Sequence, residues 1–164
     1  MSIALGDMLV PEAICVQYPA RDAREVIIHL GNLLYEAGYV KDTFVDAALA
    51  REAAMPTGLP LAGDDNAAMP HTDIEHVIRP GVALATLQRP VIFHNMVSPE
   101  EEVPVRLVFL LALDQPKSQI EMLQQVAGVL QDAQLVASLL AAKDKAEVRA
   151  ILTDHETRTE HSLT

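Results

Sequence analysis

Residues 82–113 read VALATLQRPVIFHNMVSPEEEVPVRLVFLLAL, and their pattern decides the fold. The first run, VALATLQRPVIF (82–93), partly alternates, with Val82, Leu84 and Thr86 on one side of an extended chain and Ala83, Ala85 and Leu87 on the other. The second, VPVRLVFLLAL (103–113), is almost continuously apolar after Arg106, as expected of a strand covered on both faces of a sheet. HNMVSPEEE between them is a polar connection. A sheet that is apolar on both faces needs a layer on each side, and the flanking sequence supplies helices.

Upstream, Ile14-Cys15-Val16 is a short apolar run ended by Tyr18-Pro19 and reads as a first strand. Asp22 opens DAREVIIHLGNLLYEAGY, where Val26, Ile27, Leu30, Leu33 and Leu34 recur at helical spacing. Asp22 with Glu25 is a capping-box pattern, and Gly38 suits the stop. A second helix, DTFVDAALAREAAM, ends before Pro56, which pushes its predecessor out of the α region. TGLPLAGDDNAAMPH is turn-rich and leads into a short strand at 67–69. Downstream, KSQIEMLQQVAGVLQ reads as an amphipathic helix whose expected buried stripe is Ile120, Leu123, Val126, Ala127 and Leu130. Asp132 and Asp144 cap two further helices, AQLVASLLAAK and AEVRAIL, and a polar tail from about residue 153 is expected to fray. The expectation is an α/β fold: one domain over residues 1–164, with a mixed sheet between helices on both faces.

Composition narrows the function. The 164 residues carry 23 acidic and 12 basic side chains, a net charge of −11, which repels nucleic acid and anionic membrane surfaces. Aromatic residues are 4% and Trp is absent, which argues against stacking platforms for bases or sugar rings. The single cysteine, Cys15, forms no internal disulfide and reads as a small core residue. No apolar run approaches the roughly 20 residues of a membrane span, so membrane insertion is not expected. The N-terminus lacks a basic region and carries Asp7 and Glu12, unlike a signal peptide, and a cytoplasmic location follows as the default.

The candidate chemistry lies in Ala68-Met69-Pro70-His71-Thr72. Proline fixes φ and therefore the chain's entry into His71. Imidazole is the side chain that is both neutral and nucleophilic near pH 7. A Pro-His pair is also a common turn element. Arg51, 20 residues upstream, offers a planar fork for phosphate oxygens; the plain alternative is a surface arginine paired with a neighbouring carboxylate. His71 and His76, with Asp73 and Glu75 between them, do not match a zinc-binding spacing, and no metal is expected. His76 either influences the protonation of His71 or is a solvated loop residue. His29 reads as a packed or boundary residue, and His94, His155 and His161 lie in polar connections or the tail.

Two blocks, Arg51-Glu52-Ala53-Ala54-Met55-Pro56-Thr57-Gly58-Leu59 and Ala67-Ala68-Met69-Pro70-His71-Thr72, resemble the signature of the type-2 enzyme IIA family of the sugar phosphotransferase system. The likeness covers roughly residues 10–152, and the wording of Asp114–Leu123 resembles the galactitol branch most closely. The resemblance implies the family fold and a free-standing cytoplasmic phosphotransferase. His71 would take a phosphoryl group from the carrier HPr and pass it to a cysteine of an enzyme IIB, which works with a membrane IIC. Arg51 would stabilise the phosphoryl charge, with Gln119 and Thr72 as neutral donors. Many type-2 members have a second histidine where this chain has Gln119, which can donate a hydrogen bond but carries no charge. No metal, nucleotide or other cofactor is implied. Galactitol or a related sugar alcohol is the implied cargo. The runner-up is a regulatory IIA-like module that signals through His71 phosphorylation and protein binding.

Overall fold

The computed structural model describes residues 4–62 and 65–162, the stretch 157–162 by backbone alone. A short helix α1 (Leu5–Met8) runs into strand β1 (Leu9–Tyr18). Helices α2 (Ala23–Glu36) and α3 (Phe44–Ala54) follow, then the short strands β2 (Gly58–Leu59) and β3 (Asn66–Ala68) and a 3-10 turn at Ile74–His76. The long strands β4 (Gly81–His94) and β5 (Glu102–Ala112) lead to α4 (Pro116–Leu130), α5 (Ala133–Ala141) and α6 (Lys145–Ser162). Gly63 and Asp64 of the turn-rich loop lie outside the described residues.

The sheet order is β1-β4-β5-β3-β2. β4 and β5 are antiparallel, β1 runs parallel to β4, β3 runs parallel to β5, and β2 pairs antiparallel with β3. The sheet is mixed, with its two longest strands at the centre. Side-chain alternation divides the core into two layers. Leu84, Leu107, Phe109 and Leu111 pack towards α1, α4, α5 and α6. Ala83, Ala85, Val108 and Leu110 pack towards α2 and α3. All eight are at most 1% exposed, which explains the near-continuous apolar reading of both strands.

The pairing of β4 with β5 shifts register between Thr86 and Val91, around Gln88-Arg89-Pro90. Proline has no N–H to give a ladder, so it suits that irregularity. Arg106 fills the gap by donating from Nε and Nη2 to the Leu87 carbonyl at 3.2 and 3.1 Å. Beyond the irregularity, Val91 and Phe93 are buried while Ile92 and His94 face out.

Three aspartates cap helices as their sequences require. Asp22, Asp132 and Asp144 accept from the backbone N–H of Glu25, Leu135 and Glu147 at 2.8, 3.1 and 2.9 Å. The Glu25 side chain pairs with Arg21 at 3.0 Å, so the reciprocal half of the capping box does not form. Gly38 adopts φ +86°, ending α2 in the conformation that glycine tolerates best. Helix α6 continues to Ser162 through the polar residues expected to fray, and the Gly6 N–H donates to Glu156 of α6. His29 stacks on Tyr18 with ring centroids 4.2 Å apart, and Cys15 is half-buried against the α2–α3 layer.

Candidate functional site

His71 stands where β3 gives way to loop. The Leu111 N–H donates to the Pro70 carbonyl at 2.9 Å, so His71 forms one last parallel bridge to β5. The histidine is thereby registered against the best-buried strand of the sheet, and only 8% of it is exposed. Its Nδ1 lies 2.9 Å from the Met69 carbonyl oxygen. A carbonyl only accepts, so Nδ1 carries the proton and donates. The neutral ring then has its lone pair on Nε2. Burial pushes the His71 pKa below the ordinary imidazole value, the Met69 hydrogen bond opposes that shift, the positive charge of Arg51 adds to it and Asp73 opposes it.

Arg51 comes from the last turn of α3. Its Nη1 lies 3.2 Å from Asp73 Oδ1, with the arginine side chain 27% exposed. Among the described residues, its Nε is a buried nitrogen without a hydrogen-bond partner. A buried N–H with no acceptor is costly, and a phosphoryl oxygen would satisfy it. Helix α3 and the loop after β3 therefore bring Arg51 into the electrostatic environment of His71, although the two are 20 residues apart in the chain.

Thr72 is buried, and its hydroxyl donates to the Asp73 carbonyl at 2.9 Å. A donor role towards a ligand would require that hydroxyl to turn. Gln119 is half-buried in the first turn of α4, the helix that follows β5; among the described residues its side chain makes no hydrogen bond to His71, Arg51 or Thr72. His76 is engaged elsewhere, with its Nδ1 2.9 Å from Thr43 Oγ1 and its Nε2 3.8 Å from Glu75 Oε1.

Three residues at the site were given no role from sequence. Asp73 is the ion-pair partner of Arg51. Thr57, 2% exposed, receives the Met69 N–H on its hydroxyl oxygen at 3.2 Å. Glu52 accepts from the Thr57 hydroxyl at 2.8 Å and from the Thr57 N–H at 2.9 Å. The available signal was the pair of motifs itself, Arg51-Glu52 and Pro56-Thr57-Gly58, whose mutual contact only the fold displays. Gly58 is required by close approach: a Cβ there would lie 2.5 Å from the His94 carbonyl oxygen.

Comparison with known proteins identifies the family. A family model described as "Phosphoenolpyruvate-dependent sugar phosphotransferase system, EIIA 2" matches residues 7–155. The galactitol-specific EIIA component of the phosphotransferase system of Escherichia coli K12 is 33% identical over 119 residues, covering 73% of this chain and 78% of that protein. The crystal structure of IIA mannitol from Escherichia coli superposes with a TM-score of 0.72 at 28% identity, covering 88% of this chain and 98% of that one. Enzyme IIAMTL from Escherichia coli, solved in complex with phosphorylated enzyme IIBMTL, superposes with a TM-score of 0.74 at 27% identity, covering 89% of this chain and 97% of that one. Among the described residues no helix is long and apolar enough to cross a membrane. With a mixed sheet covered by helices on both faces and a histidine at the end of β3, the chain belongs to the EIIA 2 family of the phosphoenolpyruvate-dependent sugar phosphotransferase system, a family of phosphotransferase components.

Proposed function

We propose that this chain is a phosphocarrier in which His71 takes a phosphoryl group from phospho-HPr and delivers it to a cysteine of an enzyme IIB partner, which works with a membrane IIC. The observation that carries the reading is the Nδ1–H···O=C bond from His71 to Met69, which leaves Nε2 as the nucleophile. In the first step a bond forms between Nε2 and phosphorus while the bond to the donor breaks. Nδ1 keeps its proton throughout. In the second step the IIB thiolate attacks phosphorus, the Nε2–P bond breaks, and its electron pair returns to a neutral imidazole. The Met69 hydrogen bond thus serves both directions: it exposes the lone pair for attack and keeps the ring a good leaving group.

Phosphoryl transfer depends on in-line placement and on stabilising charge at the equatorial oxygens. Arg51 supplies that charge, and its buried, unpartnered Nε–H gains an acceptor if the guanidinium turns towards the phosphoryl group. Gln119, and Thr72 once its hydroxyl turns, supply neutral donors from the flanking elements. The kinship with the galactitol-specific component supports uptake of galactitol or a related sugar alcohol. On this reading the chain works in the cytoplasm, where phosphoenolpyruvate feeds HPr.

The test is incubation with phosphoenolpyruvate, enzyme I and HPr, read by intact mass. The expected result is one acid-labile phosphoryl adduct, absent in His71→Ala. An unmodified parent beside an active HPr would refute the carrier reading.

A further inference from the structure

We propose that Glu52, acting through Thr57, is a positioning residue that sets the tautomer and the aim of His71. The inference rests on the carrier reading for its functional meaning, but its geometry stands apart from any phosphoryl donor.

The direction of each hydrogen bond follows from chemistry. The Met69 N–H can only donate, so Thr57 Oγ1 accepts it at 3.2 Å. The hydroxyl's one proton then goes to Glu52 Oε1 at 2.8 Å. The Thr57 N–H donates to Glu52 Oε2 at 2.9 Å. Both carboxyl oxygens are therefore acceptors, and together they clamp Thr57 by its backbone and its side chain. Residue 69 is held on both sides, its N–H by Thr57 and its C=O by the His71 ring. Pro70 between them has a fixed φ, and its carbonyl is pinned by the Leu111 N–H at 2.9 Å. A displacement at Met69 has no slack residue in which to dissipate before it reaches His71.

The clamp also explains why a carboxyl group is half-buried here. Glu52 borders an apolar recess formed by Ala23, Ile27, Leu49, Ala53, Ile92 and Phe93. Burial raises its pKa, and the two bonds from Thr57 and the charge of His94 pull it back. Desolvating an acid even in part is expensive, and a neutral amide would fill the same space. What an amide cannot do is accept on both atoms: with its oxygen on the Thr57 N–H, a glutamine would turn its N–H to the Thr57 hydroxyl, which would then accept from it and from Met69 and leave its own proton without an acceptor. The double-acceptor requirement is specific to a carboxylate. Met69 also lies just beyond Ala68, which pairs with Gly58 of β2, so the Thr57 hydroxyl takes over where the short ladder stops.

The experiment is long-range proton–nitrogen NMR of the His71 ring in the full chain without donor, paired with phosphorylation kinetics. The parent is expected to show the Nδ1–H tautomer. Thr57→Val and Glu52→Gln are expected to show a mixture of tautomers and a rate of phosphoryl transfer lowered about tenfold to hundredfold, the range seen when a reacting group is misplaced. The KM for phospho-HPr should stay near the parental value. Thr57→Ser, which keeps the hydroxyl, should restore tautomer and rate. A folded Thr57→Val or Glu52→Gln that retains the parental tautomer and rate overturns the proposal. A parent with the Nδ1–H tautomer that takes no phosphoryl group would instead defeat the carrier reading and leave the positioning geometry intact.

Discussion

Arg51 is held to Asp73 through Nη1 at 3.2 Å while its Nε stays buried without a partner. One end of the guanidinium is thus anchored and the other is unused. Asp73 follows His71 by only two positions, so the same short loop that presents the histidine also restrains Arg51. The aspartate is 72% exposed, which keeps the pair weak enough to rearrange when a phosphoryl dianion competes for the guanidinium.

Removing the cation should therefore act in two ways. Arg51→Ala is expected to slow phosphoryl transfer by about a hundredfold to a thousandfold, the usual cost of losing a charge-stabilising donor. Because Arg51 opposes protonation of His71, the variant's imidazole should also titrate at higher pH than the parent's. Single-turnover kinetics and a proton–nitrogen NMR titration read the two effects separately. A lowered imidazole pKa would contradict the placement of Arg51.

Neutralising the partner has the opposite electrostatic sign. Asp73 favours the protonated ring, so in Asp73→Asn the His71 pKa should fall further below the imidazole range. The same NMR titration measures it. An upward shift would show that the aspartate acts on the ring chiefly by restraining Arg51.

The pH dependence follows from burial. With its pKa depressed below the ordinary value of about 6.5, His71 is neutral throughout the neutral range. The transfer rate should be flat there and fall only on the acid side of that value. Stability has the same sign: the unfolded chain binds the proton at a higher pH than the folded one. The histidine's contribution is therefore present above the unfolded value and is lost as pH falls through the folded value. Rate profiles and acid unfolding curves check this, and a rate that declines already above pH 7 would contradict it.

A structural control comes from Gly58. The alanine Cβ would meet the His94 carbonyl oxygen at 2.5 Å, with rigid backbone on both sides. Gly58→Ala should cost about 1–3 kcal/mol of stability, as overpacking usually does, and should displace the adjoining Thr57. Denaturant unfolding gives the first and the His71 ring spectrum the second. Asp132→Ala, between α4 and α5, should cost about 1 kcal/mol through its lost cap and leave the ring spectrum unchanged.

Much of this molecule was legible in its sequence where local chemistry decides local structure. The apolar runs of β4 and β5, the three aspartate caps and the stop at Gly38 each rest on residues within a few positions of one another. Strand β1 was read too short because Pro11 and Glu12 interrupt its apolar pattern, yet pairing with β4 extends it back to Leu9. Helix α1 has no periodicity of its own, and the polar end of α6, expected to fray, stays helical; the two meet through Gly6 and Glu156. The two residues of β2 carry no periodicity at all and exist because β3 pairs with them. At the site, His71 and Arg51 stand out as motif residues. The Glu52–Thr57–Met69 chain and the Asp73 ion pair join segments that meet only in three dimensions, so no spacing rule announces them.

On the proposed mechanism, Nε2 of His71 carries the phosphoryl group because the Met69 carbonyl occupies Nδ1. Phosphorus and nitrogen NMR of the phosphorylated chain, with the imidazole nitrogens labelled, tests it most directly. The expected result is a single phosphorus signal coupled to Nε2 of His71, with Nδ1 still protonated. A phosphoryl group on Nδ1, or on any residue other than His71, would contradict it.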